Sequence, residues 1–531
     1  MNTTAQFIPY RQTGFFSSMV ADYISEAPRL QPFYMHPVSL DGIKASIEQR
    51  KSFATDRALL VDILNEQYET TPLTEKQKKY IHQLSSDNTF TICTAHQPNI
   101  FTGPLYFIYK ILHAVKLAEE LQAVIPENNF VPVYYMGSED ADLDELGHVF
   151  INGEKYEWAT KQTGAVGRMI VDKTLVQLIE AISGQLLVLP FGAEITGLMK
   201  DCYQPGVTIE QATFKLVNAL FAEYGVLILL PDSAEVKRRF APVIEKELME
   251  GFSHPAVQQT VSQFPEEYKA QASGRAINLF YLVDGKRERI EQAGDDFLIV
   301  NMQLKFSKAA MLQELQEHPE RFSPNVILRP VLQETILPDI AFIGGGGEIA
   351  YWLELKKVFE AVQVPYPMLI VRNSFMIVNT VMQAATKKLQ LEYAGLFATE
   401  LELVNHLVKR DSTIQLSLEE EKENMIALYD QIKKIAGDID TSLKTHTNAL
   451  QTQALKKITA LEKKMFRAQK RKFEAQQRQL EKLKKELFPN NSLQERVDNL
   501  MPFYASHGKE FIKMIYSHSK GLQQEFGVIL E

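Results

Sequence analysis

Cysteine is scarce: two occur in 531 residues, Cys93 and Cys202. Two thiols cannot build a disulfide framework, and neither sits in a Cys-x-x-Cys metal pattern. Neither reads as a nucleophile, since Cys93 falls inside an expected strand and Cys202 has no basic neighbour to lower its pKa. Long apolar runs are missing too; no stretch of ~18 apolar residues occurs, so no membrane span is expected. Residues 1–11 lack a basic segment followed by an apolar one, so they do not read as a signal peptide. Positive charge is not in excess: 57 Lys and Arg face 66 Asp and Glu, a net charge of −9. That balance argues against a surface built to coat nucleic acid. The rest is ordinary globular composition, 45% hydrophobic and 23% charged, in a chain long enough for about three domains. A cytoplasmic protein of several domains is expected.

Short helical stretches broken by proline fill the first ~85 residues. Residues 89–93 are then β-rich and end at the polar turn Thr94-Ala95-His96-Gln97-Pro98-Asn99. Tyr106, Ile108, Ile111, Leu112, Val115, Leu117 and Leu121 follow at roughly helical spacing. Residues 130–136 form a second short apolar run, closed by five acids within residues 139–145. Strand, helix and strand with polar strand ends make a βαβ unit, whose ligands bind beyond the carboxyl ends of the strands. Residues 214–224 predict a helix feeding a strand over 225–230. Residues 279–283 and 297–300 flank the polar turn Asp284-Gly285-Lys286 like a small hairpin, and 367–371 predict a further strand. The expected body is α/β with insertions.

From about residue 418 the composition changes. Met425, Leu428, Ile432, Ile435 and Ile439 are spaced as a heptad seam, and a second seam runs through Leu455, Ile458, Leu461 and Met465. Phe466, Phe473, Leu480 and Leu487 continue it after a break in register at Met465–Phe466. Two antiparallel helices and one interrupted rod both fit. Residues 455–487 carry twelve Lys and Arg against four Glu, while 418–440 carry seven acids against three Lys. A solvated coiled coil with mutually attracting arms accounts for this, and charge alone gives only salt-sensitive, sequence-blind affinity for nucleic acid. Ser492 is placed to cap a short helix, with Glu495 three residues on.

Four segments carry possible chemistry. In TAHQPNIFTGPLYFIYK (residues 94–110), a polar turn leads into a helix start, where free N–H groups favour an anion. There His96 can donate to a phosphoryl oxygen, and Thr94 and Thr102 supply hydroxyls; a structural hydrogen-bonding role for His96 is the competing reading. In GSEDADLDELGH (137–148), Glu139, Asp140, Asp142, Asp144 and Glu145 would repel one another on a single face. Some of them must meet water, a cation, an ammonium group or an arginine, and Glu139 and Asp140 lie nearest the strand end. In FIGGGGEIAYW (342–352), Gly344, Gly345, Gly346 and Gly347 allow close backbone approach ahead of an expected helix over 349–362 that opens near Glu348, Tyr351 and Trp352. That run fits neither G-x-G-x-x-G nor the P-loop. Arg372, Asn373 and Ser374 close a late strand, and Arg329 and Gln333 precede the glycines. Any of these arginines suits a carboxylate, a phosphate or a structural ion pair.

Taken together, residues 94–110, 132–148, 337–355 and SLQERVDNL (492–500) resemble the BshC family of bacillithiol biosynthesis, and the likeness runs over essentially the whole chain. The resemblance implies a Rossmann-like, nucleotidyltransferase-type core with connecting-peptide insertions over residues 1–380. It also implies an α-helical coiled-coil domain over 381–500 used for homodimerisation, and a segment over 501–531 packing back on the core. The implied reaction joins cysteine to the amine of glucosaminyl malate. Because an amide does not form usefully from a free carboxylate, activation by ATP as an adenylate or acyl phosphate is expected, with Mg²⁺ as a possible companion. On this reading His96, Lys110, Glu139 and Asp140 are catalytic. Thr94, Gln97, Asn99, Thr102, Gly103, Asp142, Arg329, the four glycines, Glu348, Tyr351, Trp352, Arg372, Asn373 and Ser374 contact substrate or nucleotide. No resident metal, nucleic acid or membrane is expected. The alternatives are another adenylate-forming ligase or nucleotidyltransferase of this fold, and a non-catalytic coiled-coil scaffold.

Overall fold

The computed structural model describes residues 3–272, 274–283 and 285–531. The chain divides into two compact units, one of Met1–Ile377 with Ser492–Ile529 and Glu531, the other of Val378–Asn491 with Leu530. Residues 492–500, expected in the coiled-coil domain, thus belong with the first unit.

At the centre of the first unit is a five-stranded sheet in the order Met368–Val371, Asp339–Gly344, Thr89–His96, Asn129–Met136, Leu227–Leu229. All four pairings are parallel. Parallel strands are covered on both faces and therefore read as continuous apolar runs, and every residue of Thr89–His96 and Asp339–Gly344 is buried. Helix Tyr106–Val124 crosses between two of the strands, and its Ala114, Leu117 and Leu121 pack with Phe90, Ile92, Phe130, Ile340 and Ile370 in one core. Counted along the chain, the strands lie in the order fifth, fourth, first, second, third. The winding direction therefore reverses between Asp339–Gly344 and Thr89–His96, which is where ligands bind in such sheets.

Several sequence expectations shift. The strand expected to stop at Cys93 runs to His96, because Thr94 pairs with Ile343 and His96 with Met136. The helix expected over 349–362 is two helices, Gly346–Trp352 and Lys356–Val362. Trp352 interrupts them by stacking on Phe342 (ring centroids 4.2 Å apart) in the core. The expected hairpin is a larger antiparallel sheet, in which Lys286–Ala293 lies between Leu279–Val283 and Asp296–Ile299. Leu304–Ser307 and Phe322–Pro324 form its edges. Of the expected turn residues, Asp284 lies outside the described residues, and Gly285 adopts a positive φ of 70°.

In the second unit, Glu419–Ile439 and Leu443–Lys470 form an antiparallel pair joined by a tight turn at Asp440–Ser442. Lys422 meets Glu462 at 2.8 Å, and Gln451 Nε2 donates to the Ile426 carbonyl (3.3 Å), fixing the register. The expected break at Met465–Phe466 lies a turn later, at the 3₁₀ segment Arg471–Phe473 before Glu474–Leu487. Among the described residues no helix is long and apolar enough to cross a membrane.

Candidate active site

Beyond the carboxyl ends of the parallel strands lies a cavity of 740 Å³. His96 ends the first strand and Gln97 follows it, Gly137, Glu139 and Asp140 follow the second, and Pro231 the third. Gly345–Glu348 and Arg372 come from the two remaining strand ends, Lys110 and Tyr106 from the crossover helix, and Arg329 and Tyr351 from neighbouring helices. The three loops near residues 95, 140 and 345 therefore share one cavity.

His96 is 8% exposed, and its Nε2 has no hydrogen-bond partner among the described residues. The ring lies edge-on to Tyr106 at 5.3 Å. Burial, helped by Lys110, Arg329 and Arg372, pushes its pKa well below the usual imidazole value, so the ring is neutral at physiological pH. Lys110 is buried rather than surface-facing: its Nζ donates to the Ala95 carbonyl (2.8 Å) and pairs with Glu348. Burial lowers its pKa, and Glu348 opposes that effect. Glu348 also accepts from the Gly345 N–H (2.8 Å) and so ties helix Gly346–Trp352 to Lys110.

The two acids nearest the second strand end differ sharply. Glu139 is buried against Lys237, a lysine that is itself fully buried and also donates to the Phe322 carbonyl (2.8 Å). An internal ammonium thus fills the place given on sequence grounds to a substrate amine or Mg²⁺. Asp140 is half-buried and accepts from Gln97 Nε2 (3.1 Å) and the Ala141 N–H (2.7 Å). Asp232 nearby holds Arg168 in a two-pronged pair at 2.6 Å. Beside this group, burial and the neighbouring acids push Glu210 up to about 8.

The remaining assignments divide. Arg329 donates to the Tyr351 hydroxyl (2.8 Å), and both line the cavity. Arg372 lines it as well, but Glu495 claims one end of its guanidinium at 2.7 Å. Glu495 also accepts from the Phe375 N–H (3.1 Å), so it anchors a strand instead of completing the cap expected with Ser492. Thr94, Asn99, Thr102, Gly103, Asp142, Gly344, Trp352, Asn373 and Ser374 do not line the cavity, and the structure gives most of them other work. Thr94 Oγ1 donates to the Ile343 carbonyl (2.8 Å) and stitches two strands together. The stretch Phe101–Gly103 turns through three positive φ values (54°, 71° and 62°), and Asn499 Nδ2 donates to the Phe101 and Gly103 carbonyls. Asp142 caps the short helix Leu143–Leu146. Asn373 binds His113 and the Lys520 N–H, and Ser374 accepts from Arg372. None of the four glycines has a positive φ; Gly344 is required for space, because a Cβ there would lie 2.8 Å from Phe342.

Sequence reasoning missed Tyr106, Tyr135, Arg275, Arg287, Arg289 and Arg496, which also line the cavity. Arg287 and Arg289 alternate along Lys286–Ala293, and that period of two was their available signal. Six arginines and Lys110 face the cavity against four carboxylates, Glu139, Asp140, Glu145 and Glu348. Such a site suits an anionic ligand.

Residues 3–373 match the family description "Bacillithiol biosynthesis BshC, N-terminal Rossmann-like domain", and residues 375–531 match "Bacillithiol biosynthesis BshC, C-terminal coiled-coil domain". A Flavobacterium johnsoniae protein named "Putative cysteine ligase BshC" is 38% identical, over 98% of this chain and 99% of its own length. Proteins of the same name from Cytophaga hutchinsonii (38%, over 94% of each chain) and Chlorobaculum tepidum (31%, over 97% of each chain) are similar. With a Rossmann-like core followed by a coiled-coil domain, the chain belongs to the BshC family of bacillithiol biosynthesis.

Proposed function

We propose that this chain is a cytoplasmic ligase that joins the carboxyl group of cysteine to the amine of glucosaminyl malate, completing bacillithiol, with ATP activating the carboxylate. The observation that carries the reading is the convergence of a neutral, unpartnered His96 with a surplus of guanidinium groups in one cavity at the strand reversal. Each ligand in the reaction carries a carboxylate or phosphate group, and the surplus of guanidinium groups suits such groups.

The donor set fits a nucleotide: His96, Lys110 and the Gly345–Gly347 backbone line the same cavity, where they stabilise developing negative charge. Bound ATP supplies the leaving group that free cysteine lacks. Asp140, whose carboxylate accepts from Gln97 and the Ala141 N–H among the described residues, holds the sugar ammonium and takes the proton that its nitrogen must lose before it attacks. Among the described residues no three His, Cys, Asp or Glu side chains converge as a metal cage. Magnesium held by phosphates and water is the arrangement that fits. In the second unit, Leu428 (54% exposed), Ile435 (65%) and Ile439 (79%) leave an apolar stripe uncovered, and we propose that a second copy covers it in a homodimer.

Purified protein incubated with cysteine, glucosaminyl malate and ATP tests the reaction. Thiol-labelled bacillithiol should appear only when all three are present, with loss of ATP equimolar to product. ATP consumption with a different amine or acid, and none with these, would move the chain to another ligase activity.

A further inference from the structure

Arg287 is a largely enclosed cation without an anion. It projects from the strand Lys286–Ala293 into the cavity, with its guanidinium 3.9 Å from the Phe280 ring centroid. Its Nε donates to Ser323 Oγ (3.1 Å) and its Nη2 to the Pro324 carbonyl (3.3 Å). Among the described residues it makes no ion pair, and no hydrogen bond engages Nη1. The carboxylates that act on it through space are Glu139, Asp140 and Asp232, the last of them held by Arg168. Glu139 is already bound by Lys237, and Asp140 accepts from Gln97 and Ala141. Taking a guanidinium out of water without a bonded anion is costly, yet here the side chain is held by two hydrogen bonds and a ring face in a fixed orientation. Such pre-orientation suits two-pronged recognition of a planar carboxylate.

Arg287 reaches the cavity from a different sheet than the residues assigned to the nucleotide. His96, Lys110 and Gly345–Gly347 come from the parallel sheet and its crossover, whereas Arg287 comes from the inserted antiparallel sheet. Arg329, whose guanidinium is bonded to the Tyr351 hydroxyl and likewise makes no ion pair among the described residues, also faces the cavity. We infer that Arg287, assisted by Arg329, is the specificity-determining residue for the acceptor, binding the carboxylates of the dicarboxylic acid carried by the sugar. This inference rests on the ligase reading above and assigns the acceptor its subsite.

Steady-state kinetics on the full chain test it, with Arg287→Met and Arg287→Lys compared with the unchanged protein after matching thermal midpoints. Arg287→Met should raise KM for glucosaminyl malate about 10- to 100-fold, the range for one charge-assisted contact. Arg287→Lys, which keeps the charge but loses the fork, should fall between. KM for cysteine and for ATP should stay put. The unchanged protein should prefer glucosaminyl malate over methyl glucosaminide, and Arg287→Met should close that gap. A rise in KM for ATP alone would show that Arg287 reads phosphate, and unchanged constants throughout would remove it from recognition; either result overturns the inference. Calorimetry with L-malate separates this from the reaction itself. If the unchanged protein makes no bacillithiol but binds L-malate, and Arg287→Met does not, the subsite stands and the ligase reading falls. If the unchanged protein makes bacillithiol while Arg287→Met retains the preference for the malate-bearing sugar, the subsite falls and the reaction stands.

Discussion

Lys237, on the helix Ala234–Glu250, carries its ammonium to the buried Glu139 carboxylate and donates a second hydrogen bond to the Phe322 carbonyl. Burial pushes the Glu139 carboxyl up, and Lys237 pulls it back. The pair thus sets Lys237 against the burial that disfavours the Glu139 carboxylate at the cavity wall.

Removing one partner therefore costs more than removing both. Lys237→Met should destabilise the first unit by about 3–5 kcal/mol, because it leaves a buried carboxylate without its cation. The double change Lys237→Met with Glu139→Gln should recover part of that loss. Urea unfolding of the two singles and the double, read as a cycle, measures the coupling; simple additivity would show that the pair is not a unit.

His96 should titrate far from the usual histidine range. With its pKa held well below 6.5 by burial and three cations, its ring proton signals should not move between pH 5.5 and 8. The pH profile of kcat/KM should show no limb near 6.5. His96→Ala should lower kcat by about 10²- to 10⁴-fold, the usual worth of a positioned proton donor or acceptor, with the unfolding midpoint little changed. An imidazole titrating near 6.5 would contradict the environment described here.

The parallel core was legible because its strands are buried on both faces and therefore apolar throughout, as in Phe90-Thr91-Ile92-Cys93 and Val133-Tyr134-Tyr135-Met136. The same logic hid Lys286–Ala293, a strand with five charged residues among its first six. Lys237 looks like a surface residue within the run Lys237-Arg238-Arg239; only packing against Phe322 and Glu139 buries it. His96, Asp140, Glu348 and Arg372 were reachable because they lie at or just beyond strand ends. Asn99, Thr102 and Gly103 were misplaced because Asn499, nearly four hundred residues away, takes hold of that turn. Local pattern finds strand ends; it does not find the distant side chains that bind to them.

The four glycines should respond differently to alanine. At Gly344 a Cβ would meet Phe342 Cε1 at 2.8 Å and Glu348 Cβ at 3.2 Å, while at Gly347 it would meet nothing within 4 Å. Gly344→Ala should destabilise by about 1–3 kcal/mol through overpacking. Gly347→Ala, inside the helix Gly346–Trp352, should stabilise by about 0.5–1 kcal/mol by removing backbone freedom from the unfolded chain. Thermal unfolding of both variants is sufficient, and equal losses would show that the run acts as one conformational unit.

The amino end of the same sheet stores a proton. Arg50 Nη2 pairs with Glu334 at 2.7 Å, and its Nε donates to the Asp339 backbone carbonyl (2.9 Å), so one guanidinium serves a site holding two buried carboxyl groups. Asp339 accepts from Thr91 Oγ1 (3.1 Å) through one oxygen, and Gln333 Nε2 donates to Glu334 (2.9 Å). Burial and the neighbouring acid push Asp339 well above the carboxylate range; burial raises Glu334 to about 7, with Arg50 opposing. A carboxyl raised on folding binds more protons in the native state than in the unfolded one. Its contribution is full below the unfolded pKa near 4.5 and is lost as pH climbs through about 7. Urea midpoints should therefore fall between pH 5 and pH 8. Glu334→Gln, which keeps the shape and removes the titration, should flatten much of that slope while leaving Arg50 hydrogen-bonded. A slope identical in the two proteins would assign the pH dependence to other groups and leave this cluster with its protons fixed across the range.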